Sequence, residues 1–300
     1  MIEEGTIPMK RKDFLMTMTA ATGMLSLSSL RTMAEGLGGD DRTMPVLFVG
    51  HGSPMNGIED NDFSRSWMEL AKGLPAPTAV LVISAHWLTR GTHVTAMEMP
   101  RTIHDFGGFP PELFAVQYPA PGSPELALET QKLITSTSVG LDHEWGLDHG
   151  TWSVVRRMYP DATIPVLQLS IDYAQPPQYH YDLARELAAL RRRGVLIIGS
   201  GNMVHNLRMV AWDRMNDPEY GYDWALEIND IFKKRIAAGE HRPLIEYGSL
   251  GSAARLAIPT PDHYYPLLYV LGLQEKGEDA VFFNDRAVAG SLTMTSVMIG

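Results

Sequence analysis

Three short runs in this chain are apolar at every position: Val46-Leu47-Phe48-Val49, Val80-Leu81-Val82-Ile83 and Val195-Leu196-Ile197-Ile198. A strand with one wet face alternates apolar and polar residues. A strand that does not alternate has to be covered on both faces. Segments of helical spacing separate these runs. In 179–193, Leu183, Leu187 and Leu190 share one face while Arg185, Glu186 and Arg191 lie elsewhere. The pattern predicts a single α/β domain, a mixed and mostly parallel sheet with helices on both faces. Strands are expected at 45–50, 79–85, 92–97, 164–170, 195–199, 280–284 and 292–298. Helices are expected at 62–73, 124–137, 152–158, 179–193, 222–238 and 263–272. The last two strands follow each other too closely for a crossover, so the sheet is mixed. The Gly- and Pro-rich stretch 100–123 reads as a long loop, and such loops inside compact domains are often functional.

With 300 residues, 45% hydrophobic and 20% charged, the chain has ordinary globular composition and enough length for a large core. A net charge of -10 gives no basic surface for nucleic acid. Cysteine is absent, so a metal here is held by histidine, carboxylate or other oxygen ligands. Residues 1–43 stand apart as a signal-like segment and linker, followed by one catalytic domain over 44–300. A basic start, a modest apolar stretch and Thr32-Met33-Ala34 make 9–34 resemble an export signal. Arg11-Lys12-Asp13-Phe14-Leu15 resembles the twin-arginine pattern with Lys at the second arginine. The expectation is a periplasmic protein, with a cytoplasmic one as the alternative. The apolar stretch is too short and too rich in Ser and Thr for a stable membrane span.

Each buried run delivers a histidine. His51 follows the first, His86 the second, and His205 the third after Gly199-Ser200-Gly201-Asn202. Ligands of open α/β sheets bind at the carboxyl ends of strands. Imidazole is both the commonest protein metal ligand and the commonest acid/base near neutral pH. A histidine-lined metal site is the first functional reading. Taken singly, each motif also has a plainer one. Gly50-His51-Gly52-Ser53-Pro54 is a tight turn, and it lacks the Gly-x-Ser-x-Gly order of a nucleophile elbow. His86 reads equally as a core histidine bonded to backbone. Gly199-Ser200-Gly201 lacks the ending of a phosphate loop. It reads as a turn aiming His205, with Asn202 or Asn206 available to orient the ring. His149, in Asp148-His149-Gly150-Thr151-Trp152, opens a helix, as does His263 after Asp262 as the expected cap. His104 rides on the long loop and is a weaker candidate. His93, His143, His180 and His241 read as surface or structural.

The motifs taken together resemble the 4,5-DOPA extradiol dioxygenase family, of the class III, LigB-type ring-cleaving enzymes. They are Gly-His-Gly-Ser-Pro-Met at 50–55, Ser-Ala-His-Trp at 84–87, and His-Asp-Phe-Gly-Gly-Phe-Pro at 104–110. Tyr-Pro-Ala-Pro-Gly-Ser-Pro follows at 118–124 and Asp-His-Gly-Thr-Trp at 148–152. Gly-Ser-Gly-Asn-Met-Val-His-Asn-Leu at 199–207 and Thr-Pro-Asp-His-Tyr-Tyr-Pro-Leu-Leu at 260–268 complete the set. The resemblance runs over 44–300 and omits 1–43. It implies one mononuclear divalent metal, Fe(II) for dioxygenase activity, with zinc possible in the same site. It makes His51, His86 and His263 the ligands, His205 the acid/base residue, and His149 a neighbour of the substrate. More distant relatives use two histidines and a glutamate. Here the third position is His263, and three imidazoles also suit zinc. The partners implied are a small phenolic, DOPA-like catechol and dioxygen, with a ring-opened semialdehyde as product. The oligomeric state is left open.

Two other classes compete. A zinc hydrolase of a small ester or amide would turn over without dioxygen. A non-enzymatic metal-binding protein on the same scaffold would have no need of His205 and His149, and both are present.

Overall fold

A computed structural model describes residues 43–215 and 217–300. The export-like segment 9–34 lies outside them. The chain runs β1 (Val46–Gly50), α1 (Asp62–Gly73), β2 (Ala79–Thr89), β3 (Thr92–Thr95), α2 (Pro111–Phe114), α3 (Pro124–Leu133), β4 (Val139–Asp142), α4 (His149–Met158), β5 (Val166–Asp172), α5 (Pro177–Glu186) and α6 (Ala188–Arg191). It continues β6 (Val195–Gly201), α7 (Asp223–Ala237), α8 (His241–Ile245), α9 (Ser252–Ala257), α10 (Tyr265–Gly272), β7 (Ala280–Phe283), β8 (Ala287–Val288), β9 (Leu292–Thr293) and β10 (Ser296–Ile299).

Eight strands form one sheet in the order β4-β3-β5-β2-β6-β1-β10-β7, and β8 pairs with β9 separately. The core pairs β5–β2, β2–β6 and β6–β1 are parallel. The pairs β3–β5, β1–β10 and β10–β7 are antiparallel, giving the mixed sheet expected. The three fully apolar runs are β1, β2 and β6, neighbours at the centre. Their side chains divide by parity. Val46, Phe48, Leu81, Ile83 and Ile197 pack on one face with Leu183 of α5 and the residues of α7 and α10. Leu47, Val49, Val80, Val82, Leu196 and Ile198 pack on the other with Trp67 and Leu70 of α1 and Trp152 and Val155 of α4. Among the described residues no helix is long and apolar enough to cross a membrane.

Caps decide where several helices begin. Asn61 accepts from Ser64 N at 3.0 Å while Ser64 Oγ accepts from Asn61 N at 3.0 Å, a reciprocal box that starts α1 at the expected residue. Asp148 caps α4, which starts at His149 and not at 152. The expected helix 179–193 starts at Pro177 and is divided after Glu186 into α5 and α6. That over 124–137 stops at Leu133, because Thr135 and Ser136 turn to bond Glu186. The strand expected at 292–298 is two, β9 and β10. The 100–123 stretch is not all loop, since it contains α2.

Candidate active site

Because β2, β6 and β1 are adjacent and parallel, their carboxyl ends share one edge of the sheet. His51 sits one residue past β1, its N–H bonded to Gly201 O at 3.1 Å. His86 lies inside β2, which runs on to Thr89 through a register shift between Ile83 and Leu88. It therefore projects from a bulge, not from beyond a strand end. Gly201 ends β6, and a Cβ there would stand 2.1 Å from His263 O. Only glycine lets the 263–266 segment lie that close, and Asn202 N then bonds His263 O at 2.9 Å. The Gly-Ser-Gly turn is thus a seat for His263, as well as the route to His205.

The fold gathers His51, His86, His149, His205 and His263. Ring centroids are 5.1 Å apart for His51–His86, 5.3 Å for His51–His263 and 5.0 Å for His86–His263. His149 lies 3.8 Å from His86 and 5.6 Å from His51. His205 stacks on His263 at 3.5 Å and 8°. Ligand atoms of His51, His86 and His149 also fall within 4.8 Å of one another, as do those of His205, Asp262 and His263. His104 bonds Val116 O at 3.0 Å within an aromatic cluster outside this group. Of the four remaining histidines, His180 is buried against Tyr269 and His241 bonds Tyr181 and Gln274. His93 lies in β3 and His143 is exposed.

Outer partners set the rings. Ser200 Oγ donates to Gly150 O at 2.6 Å, so at its 3.0 Å contact with His51 Nδ1 it accepts. That puts the proton of His51 on Nδ1 and a lone pair on Nε2. Asp262 holds His263 Nδ1, and Asp105 Oδ2 lies 3.3 Å from His86 Nδ1. His51 Nε2 and His86 Nε2 face each other at 3.2 Å. Metal-bound histidines commonly carry an oxygen partner on the second nitrogen, and all three of these do. Asp262 is not the helix cap expected. α10 starts at Tyr265, and the carboxylate serves the ring instead. Asn202 bonds Thr293 O and Asn206 bonds Leu256 O, so neither orients His205 through its side-chain amide.

Burial, reinforced by neighbouring imidazoles, holds His51 and His86 well below the ordinary histidine range. His205 is lowered to about 3, first by burial and then by His263. Burial pushes the Asp105 carboxyl up, but contacts from His149 outweigh it and the net shift is down. Asp148 is fully buried and raised, chiefly by burial. It accepts from Ser84 Oγ and Gln168 Nε2, both at 2.6 Å. Asp105, Ser200 and Gln168 were not foreseen. Asp105 shares its motif with His104, which has the more familiar acid/base and ligand chemistry, and Ser200 and Gln168 carry no spacing signal.

Residues 44–287 match the family described as the catalytic LigB subunit of aromatic ring-opening dioxygenase. The chain belongs to this family. It is 50% identical over 261 residues to a 4,5-DOPA dioxygenase extradiol of Escherichia coli K12, covering 86% of this chain and 95% of that one. Identity to the 4,5-DOPA dioxygenase extradiol of Beta vulgaris is 35%, covering 87% and 98%. A crystal structure of an uncharacterized Escherichia coli K12 protein superposes with a TM-score of 0.74 at 46% identity, covering 86% of this chain and all of that one. The protein is a ring-cleaving extradiol dioxygenase. The family is metal-dependent, and the imidazole cluster is where this chain could hold the ion.

Proposed function

We propose that His51, His86 and His263 hold one divalent metal, Fe(II) in the active enzyme, and that the substrate is a DOPA-like catechol. The observation that carries this is the near-equal triangle of ring centroids at 5.0–5.3 Å. Three evenly spaced rings could each turn one nitrogen toward a common point, as a three-histidine metal site would require. His149 breaks this even spacing, its ring only 3.8 Å from that of His86, and its Nδ1 lies against Asp105. Stacking separates His205 from the ligand set. An ion bound by an imidazole lies in the ring plane, and two parallel planes 3.5 Å apart cannot share one. The relatives named 4,5-DOPA dioxygenases support the catechol.

The bound ion supplies an electron path between catecholate and dioxygen. The chain supplies placement and proton handling. His205, uncharged at neutral pH, takes a proton before it can give one. It accepts from a catechol hydroxyl and returns that proton as the ring opens to the semialdehyde. His149 contacts the substrate. Three imidazoles also suit zinc, so metal analysis of freshly purified protein is paired with dioxygen uptake on a catechol panel. Iron with uptake supports the reading. Anaerobic turnover of an ester or amide by a zinc form would replace it with hydrolysis. His51→Ala, His86→Ala and His263→Ala should each strip the metal from folded protein, while His149→Ala should keep it. Full occupancy in any of the first three removes that residue from the ligand set.

A further inference from the structure

The 103–110 segment reaches the site with one carboxylate, and that carboxylate meets two imidazoles. Asp105 Oδ1 accepts the backbone N–H of His149 at 2.9 Å and lies 3.0 Å from His149 Nδ1. Its Oδ2 lies 3.3 Å from His86 Nδ1. His149 Nδ1 is buried and has no aligned hydrogen bond. The oxygen stands at the right distance but off the N–H axis. A buried ring nitrogen left so is costly, and a small rotation of the ring settles it. Hydrogen bonds of catalytic groups are often misaligned before substrate binds and tighten in the complex. Phe106 meets the His149 ring edge-on at 5.5 Å and bounds that rotation. At Gly107 and Gly108 an added Cβ would meet nothing within 4 Å, so the tip of the segment is open and its hold on the site comes through Asp105 and Phe106.

We propose that Asp105 is a positioning residue for ring opening that acts through His149. Its carboxylate accepts a hydrogen bond from the Nδ1–H of His149 and thereby turns Nε2 toward the substrate. The same group's second oxygen is the outer partner of His86. Sequence elements far apart, the long loop and the start of α4, are tied to β2 by one side chain. The inference rests on the metal and substrate reading above.

The test uses Asp105→Ala, with the isosteric Asp105→Asn in its place should the alanine variant fail to fold. In zinc-loaded, catechol-bound protein, nitrogen-edited NMR should show a protected Nδ1 proton on His149 that the variant loses. In the iron-loaded enzyme, kcat should fall about 10- to 100-fold with KM for the catechol changed less than about threefold, at unchanged metal content. In the His149→Ala background, adding the Asp105 substitution should cost nothing further. A protected proton that survives, kcat within about threefold of wild type, or additive losses would each overturn the proposal. So would loss of the metal, which would place the role of Asp105 at His86. If wild-type enzyme consumes no catechol, the substrate reading fails, and the zinc-loaded NMR comparison, run without turnover, still decides whether Asp105 fixes His149.

Discussion

His205 and His263 stack face to face, yet the site asks different things of them. His263 is anchored twice, by its Nδ1 contact to Asp262 and by its carbonyl under Asn202 N. His205 is fixed through backbone, its N–H on Ala257 O at 2.9 Å and its strand bridge to Leu292. A ring with a committed second nitrogen suits a ligand, and one without suits proton traffic. His205→Ala should therefore retain metal and catechol binding and slow turnover by roughly 100-fold, the scale of a lost general acid/base. Single-turnover dioxygen uptake with binding measured separately checks this. Near-normal turnover would return the proton role to another group.

At the scale of elements, the close approach of β6 and the 263–266 segment is the joint on which the site turns. A Cβ at Gly199 would stand 2.4 Å from Pro266 O, and one at Gly201 2.1 Å from His263 O. Both obstacles are backbone and cannot rotate away. Gly201→Ala should push His263 outward, cost about 1–3 kcal/mol of stability and weaken metal binding at least about 10-fold. Chelator competition and denaturant unfolding measure the two, and unchanged metal affinity would show that the seat is not needed. This joint also marks what sequence reading could reach. The central strands were legible because both their faces are buried, which removes alternation and leaves unbroken apolar runs. β4 was not, since as an edge strand reading Val-Gly-Leu-Asp it has one buried residue and little apolar signal. The helices α8 and α9 are too short to establish a period. The histidines were visible as motifs. The roles of Asp105 and Ser200 beside the rings, and of Gln168 beside Asp148, were not, because those contacts join residues 19 or more positions apart and are set by packing alone.

For the molecule as a whole, the layer of helices that covers the sheet buries a histidine outside the imidazole cluster, and acid should find it. His180 of α5 is fully buried, 4.2 Å from the Tyr265 ring, with Nδ1 3.1 Å from Tyr269 OH. Burial lowers it from 6.5 to about 4, against the opposing pull of the Gln175 backbone and Asp172. In the unfolded chain the same imidazole takes up its proton near 6.5. Between those values the unfolded state binds more protons, so stability rises with pH across the window. The contribution is complete above 6.5 and is lost as pH falls toward and through 4. At pH 4.5 the loss is about 2.5 kcal/mol. His180→Phe keeps an aromatic ring beside Tyr265 but leaves the Tyr269 hydroxyl without its partner, which costs about 1–3 kcal/mol at neutral pH. The variant should thus be the less stable protein at pH 7.5 and close most or all of that gap by pH 4.5. Urea unfolding of metal-free wild type and variant at the two pH values reads this directly, because the other histidines are common to both and cancel in the difference. A gap that stays constant across the window would mean that His180 takes up its proton as readily in the folded protein as in the unfolded chain, and that the buried layer over the sheet admits charge.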